Sequence, residues 1–190
     1  MEVNSAASYV SWKQEESLNL EQKSAFVQRC IFQSGNRTMV TVPLISALNI
    51  DYRPLQELLS ARAWREADRL SLQLLCRAAG EGAVRRGWLY FSEVSRIPAE
   101  DLRTIDRLWR AASGDRFGYS VQRQLWLGVN RDWERFWSLI GWKQGYHWTR
   151  YPDEFTWDLS APKGHLPLSN QLRGVRVLEE LLTHRAWEES

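Results

Sequence analysis

The residues between 126 and 170 carry most of the recognisable chemistry of this 190-residue chain. Six of its eleven tryptophans stand there (Trp126, Trp133, Trp137, Trp142, Trp148 and Trp157), with Phe136, Tyr146, Tyr151 and Phe155 between them. The stretch ends in S-A-P-K-G-H-L-P-L-S-N, which reads as a loop. Rings at helical spacing are ordinary core, and Trp126, Trp133 and Trp137 are assigned to it. Trp148, Tyr151, Phe155 and Trp157 are spaced irregularly around Pro152 and fit no single helix or strand face. A long loop in a compact domain is usually functional, and aromatics offer large, stiff contact area at low entropic cost. These four therefore predict a flat, apolar binding surface.

A second group follows immediately. Asn170 and Arg173 share one face in the first turn of the last expected helix, with Arg176 close by. A helix N-terminus attracts anions through its free N–H groups, and arginine adds a bidentate carboxylate clamp. The blander assignment makes Asn170 an N-cap and pairs Arg176 with Glu179 or Glu180. Aromatic surface beside a carboxylate clamp suits a flat hydrophobic acid.

Other chemistry finds little support. His147, His165 and His184 have no mutual ligand spacing, and Cys30 and Cys76 have none either, so no protein-bound metal is expected. His165 is assigned a structural or hydrogen-bonding role. Asp153, Glu154 and Asp158 suggest no reaction, and no phosphate loop, dinucleotide fingerprint, nucleophile elbow or zinc-protease motif occurs. No catalytic residue is nominated, and an enzyme built on His165 and Asp158 is the least supported reading. Single-stranded nucleic acid would suit stacked rings and arginines, but a formal charge of +2 argues against it. The longest nearly apolar stretch, Val40 to Leu48, is too short to span a membrane, and no targeting leader is visible.

The elements that must position these residues are helical. Asp51 and Pro54 open a short helix with Leu55, Leu58 and Leu59 on one face. A second runs from about Arg65 to Ala79 and stops at Gly80; Gly80 to Gly87 reads as a flexible loop. Pro98 opens a third, with Glu100 and Asp101 favoured in its first turn by the helix dipole. Further helices are expected over about 120–127, 132–140 and 170–184, with a loop of nearly thirty residues before the last. No run alternates as a strand, so the fold class is all-α. Residues 1–45 read as a helical appendage and 46–190 as the core domain.

Several ordered stretches resemble one family. They are D-Y-R-P-L-Q-E at Asp51, W-L-Y-F at Trp88, D-L-R-T-I-D-R-L-W at Asp101 and F-G-Y-S-V-Q-R-Q-L-W-L at Phe117, followed by F-T-W-D-L-S-A-P-K-G-H-L-P at Phe155 and N-Q-L-R-G-V-R at Asn170. From about Ile50 to Trp187 the chain resembles the Genomes-Uncoupled family of tetrapyrrole-binding proteins, accessory factors of magnesium chelatase, in their cyanobacterial form. The resemblance implies a helical core shaped like a cupped hand that binds protoporphyrin IX or Mg-protoporphyrin IX. It implies contact with the H subunit of the chelatase and stimulation of magnesium insertion without catalysis by this chain. The implied porphyrin-binding residues are Trp148, Tyr151, Phe155, Trp157, Leu166 and Leu168, with Asn170, Arg173 and Arg176 at the polar rim and the loop from Gly80 to Trp88 as another edge. It further implies a monomer, at most peripherally associated with membrane, in a cyanobacterial cytoplasm or, behind a removed leader, a plastid stroma. The alternative ligand is another tetrapyrrole such as a linear bilin. In two respects the chain departs from the family pattern: Tyr151 stands where close relatives carry tryptophan, and the N-terminal appendage is shorter.

Overall fold

The computed structural model describes residues 42–168 and 175–188, which belong to one compact unit spanning Met39–Ser190. The expected appendage lies, as far as residue 41, outside the described residues, as do Asn170 and Arg173.

Eight α-helices are described: α1 (Arg53–Ser60), α2 (Trp64–Ala79), α3 (Glu81–Arg86), α4 (Phe91–Val94), α5 (Ala99–Ser113), α6 (Tyr119–Gly128), α7 (Trp133–Leu139) and α8 (Arg176–Leu182). A 3-10 turn over Arg185–Trp187 follows α8. The all-α expectation is met, with one addition. Lys143–Gln144 (β1) and His147–Trp148 (β2) form a two-stranded antiparallel hairpin, Lys143 opposite Trp148 and Gln144 opposite His147. Its turn is Gly145–Tyr146, with Gly145 at φ +61° in the first central position, where a tight hairpin needs a glycine. The stretch from Gly80 to Gly87, expected as a loop, is instead mostly α3. Glu81 lies in its first turn and Arg85 and Arg86 in its last, both favoured by the dipole, and Ala83 is buried.

α5 is the structural centre, packing on α1, α2, α6 and the 3-10 turn. Leu102, Ile105, Leu108 and Trp109 line its buried stripe. Trp109 packs against Trp64 of α2 at 5.9 Å between centroids, and Phe117 meets Trp64 edge-on at 5.5 Å. The Trp109 indole N–H donates to Ser71 Oγ at 2.9 Å, so this fully buried ring is also polar-satisfied. α6 has no side-chain cap of its own. Asp106 of α5 serves instead, accepting from Ser120 N at 2.8 Å and Ser120 Oγ at 2.6 Å. α7 is capped by Asp132, which accepts from Arg135 N at 3.1 Å.

The segment before α1 is fastened to α5 by a buried carboxylate. Asp101 accepts from Tyr52 Oη at 2.9 Å, from Ala47 N at 3.0 Å and from Ser46 Oγ. Thr104 Oγ1, one turn on, donates to the Ile45 carbonyl at 2.6 Å. Asp101→Ala strands three donors, one of them the buried Tyr52 hydroxyl. It is expected to destabilise the fold by about 3 kcal/mol, read as a lowered midpoint in chemical denaturation at unchanged slope.

Candidate functional site

The aromatic stretch divides into a packed ladder and an outward face. Trp126 and Trp133 approach to 4.9 Å between centroids, Trp133 and Trp137 stack at 5.0 Å, and Trp137 and Trp142 stack at 5.5 Å. Trp137 also meets Trp148 at 5.9 Å. From Trp142 the series continues through Phe155 at 6.3 Å to Tyr151 and Trp157. Trp126 and Trp137 are buried, as helical spacing predicted, whereas Trp133, assigned with them, is half-buried against the core; Phe136 and Trp142 are buried as well. Trp148 and Tyr151, by contrast, expose 46% and 45% of their surface, and the hairpin-tip Tyr146 is fully exposed.

The other site residues fall into different environments. Trp157 is half-buried, with its N–H donating to Pro152 O at 2.9 Å. Phe155, Leu166 and Leu168 are buried, and Phe155 supports Tyr151 and Trp157 from beneath. Arg176 is exposed and lays its guanidinium over Phe91, 5.2 Å from the ring centroid. Near the end of α3, Arg86 covers Trp88 and Tyr90 at 5.1 and 4.4 Å and pairs with Glu93 at 2.5 Å. This leaves Tyr90 and Phe91 partly exposed. A shallow depression of about 590 Å³ is lined by Val129, Glu134, Arg135, Ser138 and Leu139, and it shares no residue with the aromatic face.

Two runs of backbone hold the loop. In the incoming run, Thr149 N donates to Trp142 O at 3.1 Å and Thr149 Oγ1 to Gly141 O at 3.0 Å. Arg150 N donates to Glu154 Oε2 at 2.9 Å. The outgoing run passes through the interior, where unpaired polar backbone is costly. Gly164 N donates to Arg116 O and Gly118 N to Leu166 O. Arg116 Nε donates to Ala161 O at 2.8 Å, and the Trp142 indole to His165 O at 2.8 Å. Gln122 Nε2 donates to both Gly164 O and Pro167 O, at 2.9 and 2.8 Å. Leu168 N donates to Asp68 Oδ1 at 2.6 Å. Gly164 has φ +79°, a conformation that favours glycine, and a Cβ there would lie 2.6 Å from Leu125 Cδ1 and push that side chain aside.

His165 is part of this stitching. Its Nδ1 donates to Ile140 O at 2.7 Å while Nε2 accepts from Thr156 N at 3.3 Å, an arrangement that suits one neutral tautomer. Burial holds its pKa below the ordinary range, only partly offset by the Ile140 carbonyl. Among the described residues no three His, Cys, Asp or Glu side chains come together as a metal site, and His147 pairs with Glu154 at 2.9 Å.

Sequence reasoning overlooked Asp68 and Gln122. Each leaves a trace: a polar side chain on the apolar stripe of its helix, Asp68 between Trp64 and Ser71, Gln122 between Tyr119 and Trp126. Burial pushes the Asp68 carboxyl up to about 7 against the opposing effect of the Leu168 N–H. Its charge, after burial itself, raises the Tyr151 hydroxyl, while Arg65 and Arg69 pull it back, so this stretch of α2 lies beside the exposed ring.

The comparisons with known proteins agree on one family. The family profile described as GUN4-like matches residues 45–185. The chain belongs to the GUN4-like family. It is 51% identical over 171 residues to the "Ycf53-like protein" of Synechocystis sp. (strain ATCC 27184 / PCC 6803 / Kazusa), covering 90% of this chain and 72% of that one. It is 52% identical over 147 residues to the ycf53 protein of Pyropia yezoensis, covering 77% of this chain and 62% of that one. The "Tetrapyrrole-binding protein, chloroplastic" of Arabidopsis thaliana is 45% identical over 133 residues, 65% of this chain and 50% of that one. Among solved structures, GUN4 from Chlamydomonas reinhardtii superposes with a TM-score of 0.71 at 38% identity, covering 76% of this chain and 95% of that one. Ligand-free GUN4 of Arabidopsis thaliana gives 0.67 at 45% identity, covering 72% of this chain and 97% of that one.

The buried carboxyl makes a signed prediction. The folded state holds the Asp68 proton to higher pH than the unfolded chain does, so this group's contribution is full below 3.8 and lost as pH rises to about 7. His165, buried and neutral, acts in the opposite sense, losing stability as pH falls through the ordinary histidine range. The useful quantity is therefore a difference. Relative to Asp68→Asn, the natural protein should lose roughly 3 kcal/mol between pH 4 and pH 8, measured by urea denaturation of both across that range. A flat difference would refute the assignment.

Proposed function

We propose that this GUN4-like protein binds protoporphyrin IX or Mg-protoporphyrin IX on the face carrying Trp148 and Tyr151. We propose further that it stimulates magnesium chelatase in chlorophyll biosynthesis by engaging the chelatase H subunit, without catalysing the insertion. Its place is the cyanobacterial cytoplasm or the plastid stroma. The observation that carries the binding reading is the pair of large rings left nearly half exposed, Trp148 at the end of β2 and Tyr151 just beyond it, on a segment whose backbone is tied to Trp142 and Glu154. An exposed aromatic on a mobile tether must be ordered on binding, whereas rings already wedged against Trp137, Phe155 and Trp157 surrender little further entropy. The macrocycle lies against these rings with its edges outward, so that the propionates stay hydrated and no charge is buried. Arg65 and Arg69, both exposed near Tyr151, offer cations at that edge. Asn170, Arg173 and Arg176 complete the polar rim in this reading. The Arabidopsis relative's description as a tetrapyrrole-binding protein supports the ligand class.

Titration with a water-soluble protoporphyrin analogue tests the reading, with a linear bilin as comparator. A red-shifted porphyrin band and saturable binding are expected. Tyr151→Ala and Trp148→Ala should each weaken affinity by about tenfold, near 1.4 kcal/mol. An unchanged spectrum at tens of micromolar, roughly 6 kcal/mol of binding, would refute it, and tighter bilin binding would redirect it. For the chelatase, adding the protein to the reconstituted enzyme should raise the rate of magnesium insertion, while the protein alone inserts none.

A further inference from the structure

Two buried polar side chains bind the outgoing arm of the loop from two different helices. Asp68 of α2 is 5% exposed and accepts the Leu168 N–H at 2.6 Å, across one hundred residues of chain. Gln122 of α6 is fully buried and spends both Nε2 hydrogens on the carbonyls of Gly164 and Pro167. Leu166 O takes the Gly118 N–H at 3.0 Å, on the residue preceding α6. The arm from Gly164 to Leu168 is therefore gripped at both ends and at its middle.

What stands on this arm is the exposed face. His165, inside the gripped segment, packs its ring 5.0 Å from Phe155 and accepts the Thr156 N–H. Phe155 in turn supports Tyr151 at 6.2 Å and Trp157 at 5.9 Å, and those two rings meet edge-on at 5.9 Å. A line of contacts thus runs from Asp68 and Gln122 through residues 164–168 to His165, Phe155 and Tyr151.

We infer that Asp68 and Gln122 are positioning residues for the ligand face: they set the height and tilt of Tyr151 and Trp157 without contacting the ligand. The inference rests on the tetrapyrrole reading above. It has a specific chemical requirement, an acceptor at position 68 and a two-hydrogen donor at position 122. Volume alone does not meet it. Asparagine at 68 keeps an oxygen for the Leu168 N–H and should preserve the face. Alanine at 68 leaves that N–H unpaired, and leucine at 122 leaves two carbonyls unpaired at nearly constant volume.

The test combines ligand affinity with hydrogen exchange on the full chain, at a temperature where circular dichroism shows each variant folded. Asp68→Ala and Gln122→Leu should each weaken binding of the soluble protoporphyrin analogue by about tenfold, the worth of one or two lost hydrogen bonds. Asp68→Asn should stay within about twofold of the natural protein. In the absence of ligand, the Leu168 and Thr156 amides should exchange faster in the two disrupting variants and at the natural rate in Asp68→Asn. Natural affinity in Asp68→Ala or Gln122→Leu, or an Asp68→Asn variant as weak as Asp68→Ala, would overturn the inference. If Asp68→Ala does not fold, Gln122→Leu decides it. Should the natural protein bind no porphyrin, the tetrapyrrole reading fails by itself. The exchange of Thr156 then still decides whether these two side chains hold the face, and an unchanged rate in Gln122→Leu refutes that they do.

Discussion

A length of backbone without helix or strand, residues 161–168, runs through the interior, and every peptide group buried there needs a partner. Helices answer that need internally. This segment cannot, so side chains and loop carbonyls from elsewhere in the fold supply the partners: Arg116, Gln122, Trp142 and Asp68, with Gly118 adding a backbone N–H. The constraint explains why α2 and α6 carry polar residues on their buried stripes. It also explains the glycine at 164, where the chain takes φ +79° and passes close to Leu125 and Ile140. Removing the stitching would leave the aromatic loop without the arm on which it rests.

The aromatics then have two separate duties. Trp126, Phe136, Trp137 and Trp142 fill space between α6, α7 and the loop, and their rings are the floor of the structure. Trp148 stands on Trp137 of that floor and Tyr151 on Phe155, and both face outward. Tyr151 brings a hydroxyl to the exposed face, and the neighbouring charges of Asp68, Arg65 and Arg69 act on that hydroxyl, at the part of the face nearest α2.

Helices were legible in the sequence because their signals are local. Pro54, Pro98 and Asp132 mark starts, and the apolar spacing of Leu102, Ile105, Leu108 and Trp109 marks a buried stripe. The exposed half of the site was legible too, since Trp148 and Tyr151 obey no helical or strand period. Short-range reasoning failed on α3, whose six residues lie between two glycines and look like a loop, and on a hairpin with two residues per strand. It could not divide the loop into presented rings and supporting rings: Phe155 and Tyr151 are both large aromatics, and only tertiary contacts make one of them floor. The partners of Asp68 and Gln122 lie about a hundred and about forty residues away, so the helix pattern flags an anomaly without saying what answers it.

The tryptophan ladder has an optical consequence. Indoles whose centroids lie 4.9 to 5.9 Å apart, from Trp126 through Trp133 and Trp137 to Trp142 and Trp148, are close enough to hand an excitation from ring to ring. Light absorbed in the core is therefore free to leave by way of the exposed member. The emission of these five indoles is then expected to be a shared property of the ladder rather than a sum of separate reporters. A chromophore resting on Trp148 would drain the whole set, so the depth of quenching says that the face is occupied but not which ring is touched.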